Sequence, residues 1–262
     1  MIKIGNRFKE GLSRSDPQLG LWVSLCNVAS AEIAAGSGAD WLLVDMEHAP
    51  NEISTVADQL RAVGEAASVI VRPPTSEPVI TKRLLDIGVK TLMFPMIDTA
   101  AQASAAVSWT RYPPEGKRGI SSVVRASNYG RDTSYVGRTS TEICVIVQAE
   151  TPLALENIDE IAAVAGIDAI FIGPGDLAAS MGYIGQTNVE PVQRTIGEAI
   201  TRINNAGKGS GVLAYGHAAA TRAIGQGAGF VAVGADTWIL ARETSALVES
   251  CRSGFPAREP EP

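Results

Sequence analysis

The sequence predicts a single α/β domain folded as a (β/α)8 TIM barrel, and three observations support this. Eight short apolar segments alternate with helix-like segments along 262 residues. Each apolar segment is a continuous run, which is typical of parallel strands buried on both faces. Polar residues follow many of these runs, at the strand ends where α/β folds bind ligands. A doubly wound open sheet is the competing fold, but the count of eight strands favours the barrel.

The first half of the chain supplies four of these strands and the helices between them. A short leading helix is expected over residues 4–12. Ser30, Asn51 and Pro78 stand where helices are expected to begin, and Gly88 stands where one is expected to end. Strands are predicted over 19–25, 40–45, 68–72 and 91–97, with helices over 29–37, after Asn51, over 78–88 and up to about 110.

Residues 111–141 interrupt this alternation. They are rich in Gly, Ser and Arg without clear periodicity, and they predict a long functional or mobile loop. The barrel domain is expected to span 1–252, and a Pro-rich tail to occupy 253–262. The remaining strands are predicted over 143–149, 167–173, 211–215 and 230–234, with helices from about 152 and over 191–206, 217–226 and 237–252.

Composition and charge limit the classes of function. The net charge is −6, and no basic block indicates a nucleic-acid partner. No apolar run approaches the ~20 residues that span a bilayer, so no membrane partner is expected. Cys26, Cys144 and Cys251 are scattered and odd in number, and the first residues lack the apolar segment of a signal peptide. We therefore expect a cytoplasmic protein that acts on small molecules.

The candidate functional residues follow from the predicted strand ends. In a (β/α)8 barrel the active site lies at the C-terminal ends of the strands. The polar and aromatic residues near those ends are Trp22, Ser24, Asp45, Glu47, His48, Arg72, Gln148, Glu150, Asp176, Tyr215 and Asp236.

Two of these carboxylates indicate a metal site. Glu150 follows the apolar run 145–149, and Asp176 follows the run 169–175. Carboxylate oxygens from neighbouring strand ends suit Mg²⁺ or Mn²⁺, which leave room for water and substrate oxygens. The alternative is that each acid only favours the positive N-terminus of the helix that follows.

Arg72 and His48 are the candidate cation and base. Arg72 lies between a buried apolar run and two prolines, so it needs an anion, either a substrate oxygen or a structural partner such as Asp45 or Glu47. Arg72→Ala is expected to abolish turnover with little effect on the fold. His48 follows Asp45 by three residues, and an imidazole oriented by a carboxylate is a general base. The alternative for His48 is a structural role.

Two kinds of covalent catalysis are disfavoured. No lysine lies at the end of a predicted strand, whereas Schiff-base chemistry needs a desolvated lysine there. No cysteine has a histidine partner nearby in the sequence, which disfavours a thiol nucleophile. Any carbonyl chemistry at this barrel is therefore expected to use a metal.

Seven segments of the chain form a recognisable set of motifs. They are Gly20-Leu-Trp22, Leu43-Val-Asp-Met-Glu-His-Ala-Pro-Asn51, Val71-Arg-Pro73, Leu84-Leu-Asp-Ile-Gly88, Arg111-Tyr-Pro-Pro-Glu-Gly-Lys-Arg-Gly119, Val147-Gln-Ala-Glu150 and Phe171-Ile-Gly-Pro-Gly-Asp-Leu177. With these motifs the chain resembles the HpcH/HpaI aldolases, which are metal-dependent class II pyruvate aldolases. The resemblance runs in uninterrupted order from about residue 19 to 250.

The resemblance implies an activity, a cofactor and an assembly. The activity is the reversible cleavage of a 4-hydroxy-2-oxo acid, such as 4-hydroxy-2-oxoheptanedioate, to pyruvate and an aldehyde in aromatic compound catabolism. Cleavage of a 2-dehydro-3-deoxyglucarate-type sugar acid is the near alternative. The cofactor would be Mg²⁺, Mn²⁺ or Co²⁺. The assembly would be a homohexamer, a trimer of dimers, in which subunits exchange the last helix.

The resemblance also implies roles for individual residues. Asp86 would approach the active site of a neighbouring subunit. The other implied roles are metal ligation by Glu150 and Asp176, substrate contacts by Trp22, Arg72, Gln148, Gly173, Gly175 and Asp176, and base catalysis by His48 with Asp45.

Two departures from the family pattern concern loops around the implied site. Gly175 stands where the resemblance leads us to expect Ala, which loosens the backbone that carries Asp176. Residues 214–217 replace a small apolar stretch, so the resemblance does not define the acceptor aldehyde.

Two other functions stay open. One is an acyl-CoA lyase that binds its nucleotide through the arginines of 111–138, and the other is a non-catalytic binding barrel.

Overall fold

A computed structural model describes residues 5–254 as one closed barrel of eight parallel strands. Each strand pairs with the next along the chain, and the last strand closes the ring on the first. The predicted barrel is confirmed, and the open sheet is wrong. The strands are β1 (Gln18–Val23), β2 (Trp41–Asp45), β3 (Ser68–Arg72), β4 (Thr91–Phe94), β5 (Cys144–Ala149), β6 (Ala169–Ile172), β7 (Gly209–Leu213) and β8 (Phe230–Ala235).

Helices surround the barrel and connect its strands. They are α1 (Arg7–Gly11), α2 (Val28–Ala35), α3 (Ile53–Val63), α4 (Pro78–Asp86), α5 (Ala100–Thr110), α6 (Tyr135–Glu142), α7 (Pro152–Glu156), α8 (Ile158–Ala162), α9 (Pro174–Ser180), α10 (Glu190–Asn205), α11 (Gly216–Gly225) and α12 (Asp236–Ser253).

Two helices begin at residues other than those that the sequence predicts. Asn27 rather than Ser30 caps α2, and Glu52 rather than Asn51 caps α3. The Asn51 amide instead donates to the carbonyl of Asp45 at 2.7 Å, which steadies the loop after β2.

The segment 111–143 contains more regular structure than the sequence predicts. Helix α6 and a 3₁₀ turn over Arg125–Ser127 lie within it. The buried positions of α6 are Tyr135, Thr139 and Glu142, so its inner face carries polar groups. Its sequence therefore lacks the aliphatic residues at helical spacing that predict a helix such as α3.

Aromatic side chains fill the barrel and close its N-terminal end. The Phe8 ring on α1 lies 6.1 Å from the Trp41 ring and 5.2 Å from the Phe230 ring. A Cβ at Gly211 would lie 2.2 Å from the Phe230 ring, so this part of β7 must be glycine. That packing explains why β7 begins two residues before its predicted start, in a Gly-rich segment that is typical of a turn. The carboxyl ends of the strands form the open mouth of the barrel.

The longest helix, α12, has no buried residue in the single chain. It exposes Leu240, Leu247 and Val248, which recur at helical spacing on one side. Within residues 5–254, no helix is long and apolar enough to cross a membrane. Most of the predicted Pro-rich tail, residues 255–262, lies outside the described part of the chain.

Candidate active site

Strand pairing places four of the predicted site residues together at the barrel mouth. The register of β2 and β3 sets Asp45 beside Arg72. Gln148 belongs to the last part of β5, and Glu150 follows directly after that strand. All four side chains are buried. They meet because parallel strands of a closed barrel end at the same edge.

Arg72 is the centre of this cluster. Its Nε donates to Asp45 Oδ1 at 2.8 Å, and its Nη2 donates to Asp45 Oδ2 at 2.6 Å. Its Nη1 lies 2.7 Å from Glu47 Oε2 and 3.5 Å from Gln148 Oε1, and the guanidinium lies 5.4 Å from the Trp22 ring centre. Burial lowers the pKa of Arg72, but the hydrogen bonds and charges of the carboxylates outweigh it and raise the pKa above its usual value. Both structural partners named from the sequence are therefore present.

Glu150 is a carboxylate whose surroundings disfavour its charge. Its Oε1 accepts from the Met96 N–H at 2.9 Å, and its Oε2 accepts from Gln148 Nε2 at 3.0 Å. Burial is the main cause that raises the pKa of Glu150 to about 7, and the negative charges of Asp176 and Glu47 add to the rise. Burial also raises the pKa of Glu47. Three carboxylates thus repel one another at this corner of the mouth.

The backbone approaches Glu150 so closely that position 173 must be glycine. A Cβ at Gly173 would lie 2.3 Å from Glu150 Oε2. Gly173 precedes α9, and Asp176 occupies the first turn of that helix. Gly175 lies between them, and a Cβ there would meet nothing within 4 Å. The packing therefore requires glycine at 173 and permits alanine at 175.

His48 lies at the rim of the mouth, beside Glu47. Its side chain is 66% exposed, and its Nε2 lies 3.8 Å from Glu47 Oε2. Asp45 Oδ1 instead accepts from the Glu47 N–H at 3.0 Å, in addition to its bond from Arg72. The sequence-based pairing of His48 with Asp45 is therefore corrected to a pairing with Glu47. Spacing along the chain does not show that Glu47 is the partner, because it does not show that the Asp45 side chain binds Arg72 on the neighbouring strand β3.

Asp86 lies at the other end of the same barrel, at the end of α4. Its Oδ1 accepts from Arg118 Nη2 at 2.8 Å. The Arg118 side chain is buried, lies 4.5 Å from the Tyr112 ring centre and donates to the Tyr135 hydroxyl at 3.1 Å. Within one chain, Asp86 thus has a structural partner that the sequence did not reveal.

Two further groups complete the mouth. Met96 has a φ of +53° and supplies the N–H that binds Glu150. Asp236 accepts from the Ser24 N–H at 2.9 Å and from the Leu25 N–H at 3.2 Å. This candidate therefore links the end of β8 to the end of β1 by hydrogen bonds.

No group of three or more His, Cys, Asp or Glu side chains in residues 5–254 is placed to hold a metal ion by itself.

A closed (β/α)8 barrel with a buried arginine and several perturbed carboxylates at its mouth is the arrangement of an enzyme. The chain belongs to the HpcH/HpaI aldolase/citrate lyase family, which matches residues 18–242. It is therefore a lyase of the aldolase type.

Three similar proteins agree with this assignment. A hydroxypyruvate/pyruvate aldolase of Deinococcus radiodurans is 45% identical over 262 residues, covering 99% of this chain and 95% of that protein. A 2-keto-3-deoxy-L-rhamnonate aldolase of Salmonella paratyphi B is 48% identical over 238 residues, or 90% of this chain and 89% of that protein. The crystal structure of a family member from Burkholderia cenocepacia has 38% identity and a TM-score of 0.91, covering 94% of this chain and 99% of that chain. The family expected from the motifs is confirmed.

Alanine substitutions at the two site glycines should have opposite effects on stability. Gly173→Ala forces the Glu150 carboxylate or the backbone to move, so the unfolding midpoint should fall. Gly175→Ala meets open space and removes a helical glycine, so the folded state should gain about 0.5–1 kcal/mol. Thermal unfolding of both variants beside the parent protein checks this. Equal shifts in the two variants would contradict the close contact at Gly173.

Proposed function

We propose that the chain is a class II pyruvate aldolase that uses a divalent metal to cleave 4-hydroxy-2-oxo acids reversibly to pyruvate and an aldehyde. The proposed type substrate is 4-hydroxy-2-oxoheptanedioate. The observation that carries the proposal is the buried Arg72 guanidinium, held at the mouth beside Gln148 and an acidic cluster. The names of the Deinococcus and Salmonella relatives support an aldolase with a 2-oxo acid as donor or product.

Glu150 and Asp176 would hold the metal, with Mg²⁺, Mn²⁺ and Co²⁺ as candidates. Burial and carboxylate repulsion raise the pKa of Glu150 to about 7, and a divalent cation would relieve that repulsion. Two protein carboxylates suit hard cations that complete their shell with water and substrate oxygens. When bound, the metal supplies a Lewis acid that polarises the 2-keto group and stabilises the enolate charge.

Arg72, Gln148 and Trp22 would bind and orient the 2-oxo acid. The Arg72 Nη1 lies beside Gln148 Oε1, so both side chains present polar atoms to one point of the mouth. The guanidinium would lie near the C2 oxygen, where negative charge develops as the carbon–carbon bond breaks. A fixed cation stabilises such charge strongly, because it needs no reorganisation during the reaction. Backbone groups near Gly173 and Gly175 would receive the substrate carboxylate.

His48 would remove the proton of the C4 hydroxyl. Its imidazole lies at the rim, and the neighbouring Glu47 would stabilise the imidazolium that forms. As the proton passes to His48, the C4 oxygen forms the aldehyde carbonyl. The C3–C4 bond breaks, and its electrons form the enolate of pyruvate, which a proton on C3 converts to pyruvate. Asp45 would act as a positioning residue, because both of its oxygens bind Arg72.

A sugar-acid aldolase of the 2-dehydro-3-deoxyglucarate type is the second candidate. It would use the same pyruvate half and differ only in the aldehyde. The name of the Salmonella relative, a 2-keto-3-deoxy-L-rhamnonate aldolase, favours this candidate. The acyl-CoA lyase hypothesis loses support, because Arg118 is buried against Asp86 and Arg138 pairs with Asp132. Two arginines of the 111–138 segment are thus committed to intrachain ion pairs.

We further propose a homohexamer, a trimer of dimers, in which neighbouring subunits exchange α12. The exposed apolar side of α12 supports this, because a contiguous apolar surface is typical of a contact with another chain. In that assembly Asp86 of one subunit would approach the mouth of another.

The thiols of Cys26, Cys144 and Cys251 form no disulfide, which supports a reducing compartment such as the cytoplasm.

Metal removal should abolish cleavage, and metal return should restore it. Protein treated with EDTA is assayed for pyruvate release from 4-hydroxy-2-oxo acids, before and after addition of Mg²⁺, Mn²⁺ or Co²⁺. Asp176→Asn should keep the fold and lose about 100-fold or more of the metal-dependent rate, since even indirect partners of a metal contribute 10–100-fold. Full activity of the metal-free protein, or parent-like activation of the Asp176 variant, would refute the metal assignment.

Protons should compete with the metal at Glu150. Its pKa rises from 4.5 in the unfolded chain to about 7 in the folded protein, so the folded state holds a proton that the unfolded chain releases. The metal-free protein should therefore be most stable below about pH 4.5 with respect to this group, and lose that contribution as the pH rises towards about 7. The apparent affinity for Mn²⁺ should rise over the same window, because only the carboxylate binds metal. Calorimetric titrations at several pH values measure this. Glu150→Gln should remove the pH dependence of stability and weaken Mn²⁺ binding at every pH. A pH-independent Mn²⁺ affinity of the parent would contradict the raised pKa.

Substitution of Arg72 should reduce both turnover and stability. Arg72→Ala leaves the buried Asp45 carboxylate without its cation, which costs about 3–5 kcal/mol, contrary to the small effect expected from the sequence. Arg72→Lys retains the charge without the two-point contact, so stability should fall less while pyruvate release still drops by about 100-fold.

Arg61→Ala is the control, since its exposed pair with Asp58 contributes at most about 1 kcal/mol. Urea unfolding and pyruvate release are measured on each variant. Parent-like turnover of Arg72→Lys would refute the assigned role.

A further inference from the structure

Tyr215 stands at the barrel mouth in a tilted contact with the Trp238 ring. It follows β7 directly and precedes α11, so it belongs to the active-site end of the barrel. Its ring lies 5.1 Å from the Trp238 ring, and the Arg242 guanidinium covers the Trp238 ring at 4.0 Å. Tyr215 remains 46% exposed, so one part of its side chain packs against the protein and the rest is accessible to solvent or substrate.

This Tyr215–Trp238 pair adjoins the site built around Arg72. Trp238 packs against the aromatic cluster inside the barrel that includes Trp22 and Phe171, and Trp22 lies beneath the Arg72 guanidinium. Partial burial raises the pKa of Tyr215, while the Arg72 cation lowers it and the Asp45 carboxylate raises it. The phenol is therefore within electrostatic reach of the two central residues, and it carries its proton at neutral pH.

The Tyr215 hydroxyl has no hydrogen-bond partner among residues 5–254, although the phenol is partly buried. A phenolic O–H is both a donor and an acceptor. An apolar substrate group placed against it would leave it desolvated and unpaired, which is unfavourable. A substrate oxygen placed there would satisfy it.

We infer that Tyr215 recognises the aldehyde half of the substrate, by donating a hydrogen bond to an oxygen on the carbon next to the aldehyde group. The inference rests on the proposed aldolase function and names 2-hydroxyaldehydes as the acceptor class. Of the two candidate activities, it favours the sugar-acid type, whose aldehyde carries a hydroxyl at that carbon. The Trp238 support matters because a ring of fixed orientation loses less entropy when it binds.

Two aldehydes of nearly equal size test this inference. Glycolaldehyde and propanal differ in a hydroxyl against a methyl group on the carbon next to the aldehyde. For addition to pyruvate, kcat/KM should favour glycolaldehyde with the parent enzyme. Tyr215→Phe keeps the ring and removes only the hydroxyl, so kcat/KM for glycolaldehyde should fall about tenfold, the worth of one hydrogen bond, while propanal is unaffected. Tyr129→Phe removes an exposed phenol remote from the mouth and should change neither value.

A second measurement separates this inference from the proposed function. Exchange of the pyruvate C3 protons with deuterated solvent, followed by NMR, reports the donor half of the reaction without any aldehyde. Tyr215→Phe should exchange pyruvate protons at the parent rate. Normal exchange with an unchanged preference between the two aldehydes would overturn the role of Tyr215 and leave the aldolase function standing. An equal loss with both aldehydes would show that Tyr215 only supports the mouth. A folded, metal-loaded parent that neither exchanges nor adds would overturn both proposals.

Discussion

The buried ion pair between Arg72 and Asp45 is the interaction on which the barrel mouth depends. The register of β2 and β3 sets the two residues side by side, and two parallel hydrogen bonds fix the plane of the guanidinium. Burying an arginine costs several kcal/mol, and only close, complete pairing offsets that cost. Because Asp45 occupies the Nε–Nη2 edge, the Nη1 group is left for Glu47 and Gln148. The fold thus supplies a cation whose orientation is set before any substrate arrives.

The charges around this pair favour a cation at the mouth, as the proposed function requires. Asp45 compensates Arg72, which leaves Glu47, Glu150 and Asp176 as an excess of negative charge. Burial raises the pKa of both Glu47 and Glu150, and Asp176 adds to each rise. At neutral pH this excess is lowered either by a proton or by a cation. A metal bound at Glu150, as proposed, would therefore displace the proton of this carboxyl group. Gly173 sets how closely the backbone can approach Glu150.

The sequence predicts the barrel and several residues that the structure places at its mouth, but it does not predict which side chains touch. Continuous apolar runs reveal parallel strands, and strand ends locate the mouth, so Arg72 and Glu150 could be found without a structure. Contacts depend on strand register and on rotamers, which spacing along the chain does not encode. Spacing therefore favours Asp45 as the partner of His48, whereas the structure places Glu47 beside it. Similarly, the sequence does not predict α6, because Tyr135, Thr139 and Glu142 rather than aliphatic residues occupy its inner face.

The mouth of the single chain is open to solvent, and the proposed assembly would give this openness a functional explanation. An enolate is best protected where water is excluded, yet His48 and Asp176 are exposed, and Tyr215 is nearly half-exposed. At the same time α12 presents an apolar side that no residue of 5–254 buries. A neighbouring subunit held by α12 and placed over the mouth would account for both features. Subunit contact would then limit water at the site, and Tyr215 would select the aldehyde in a space that two chains enclose.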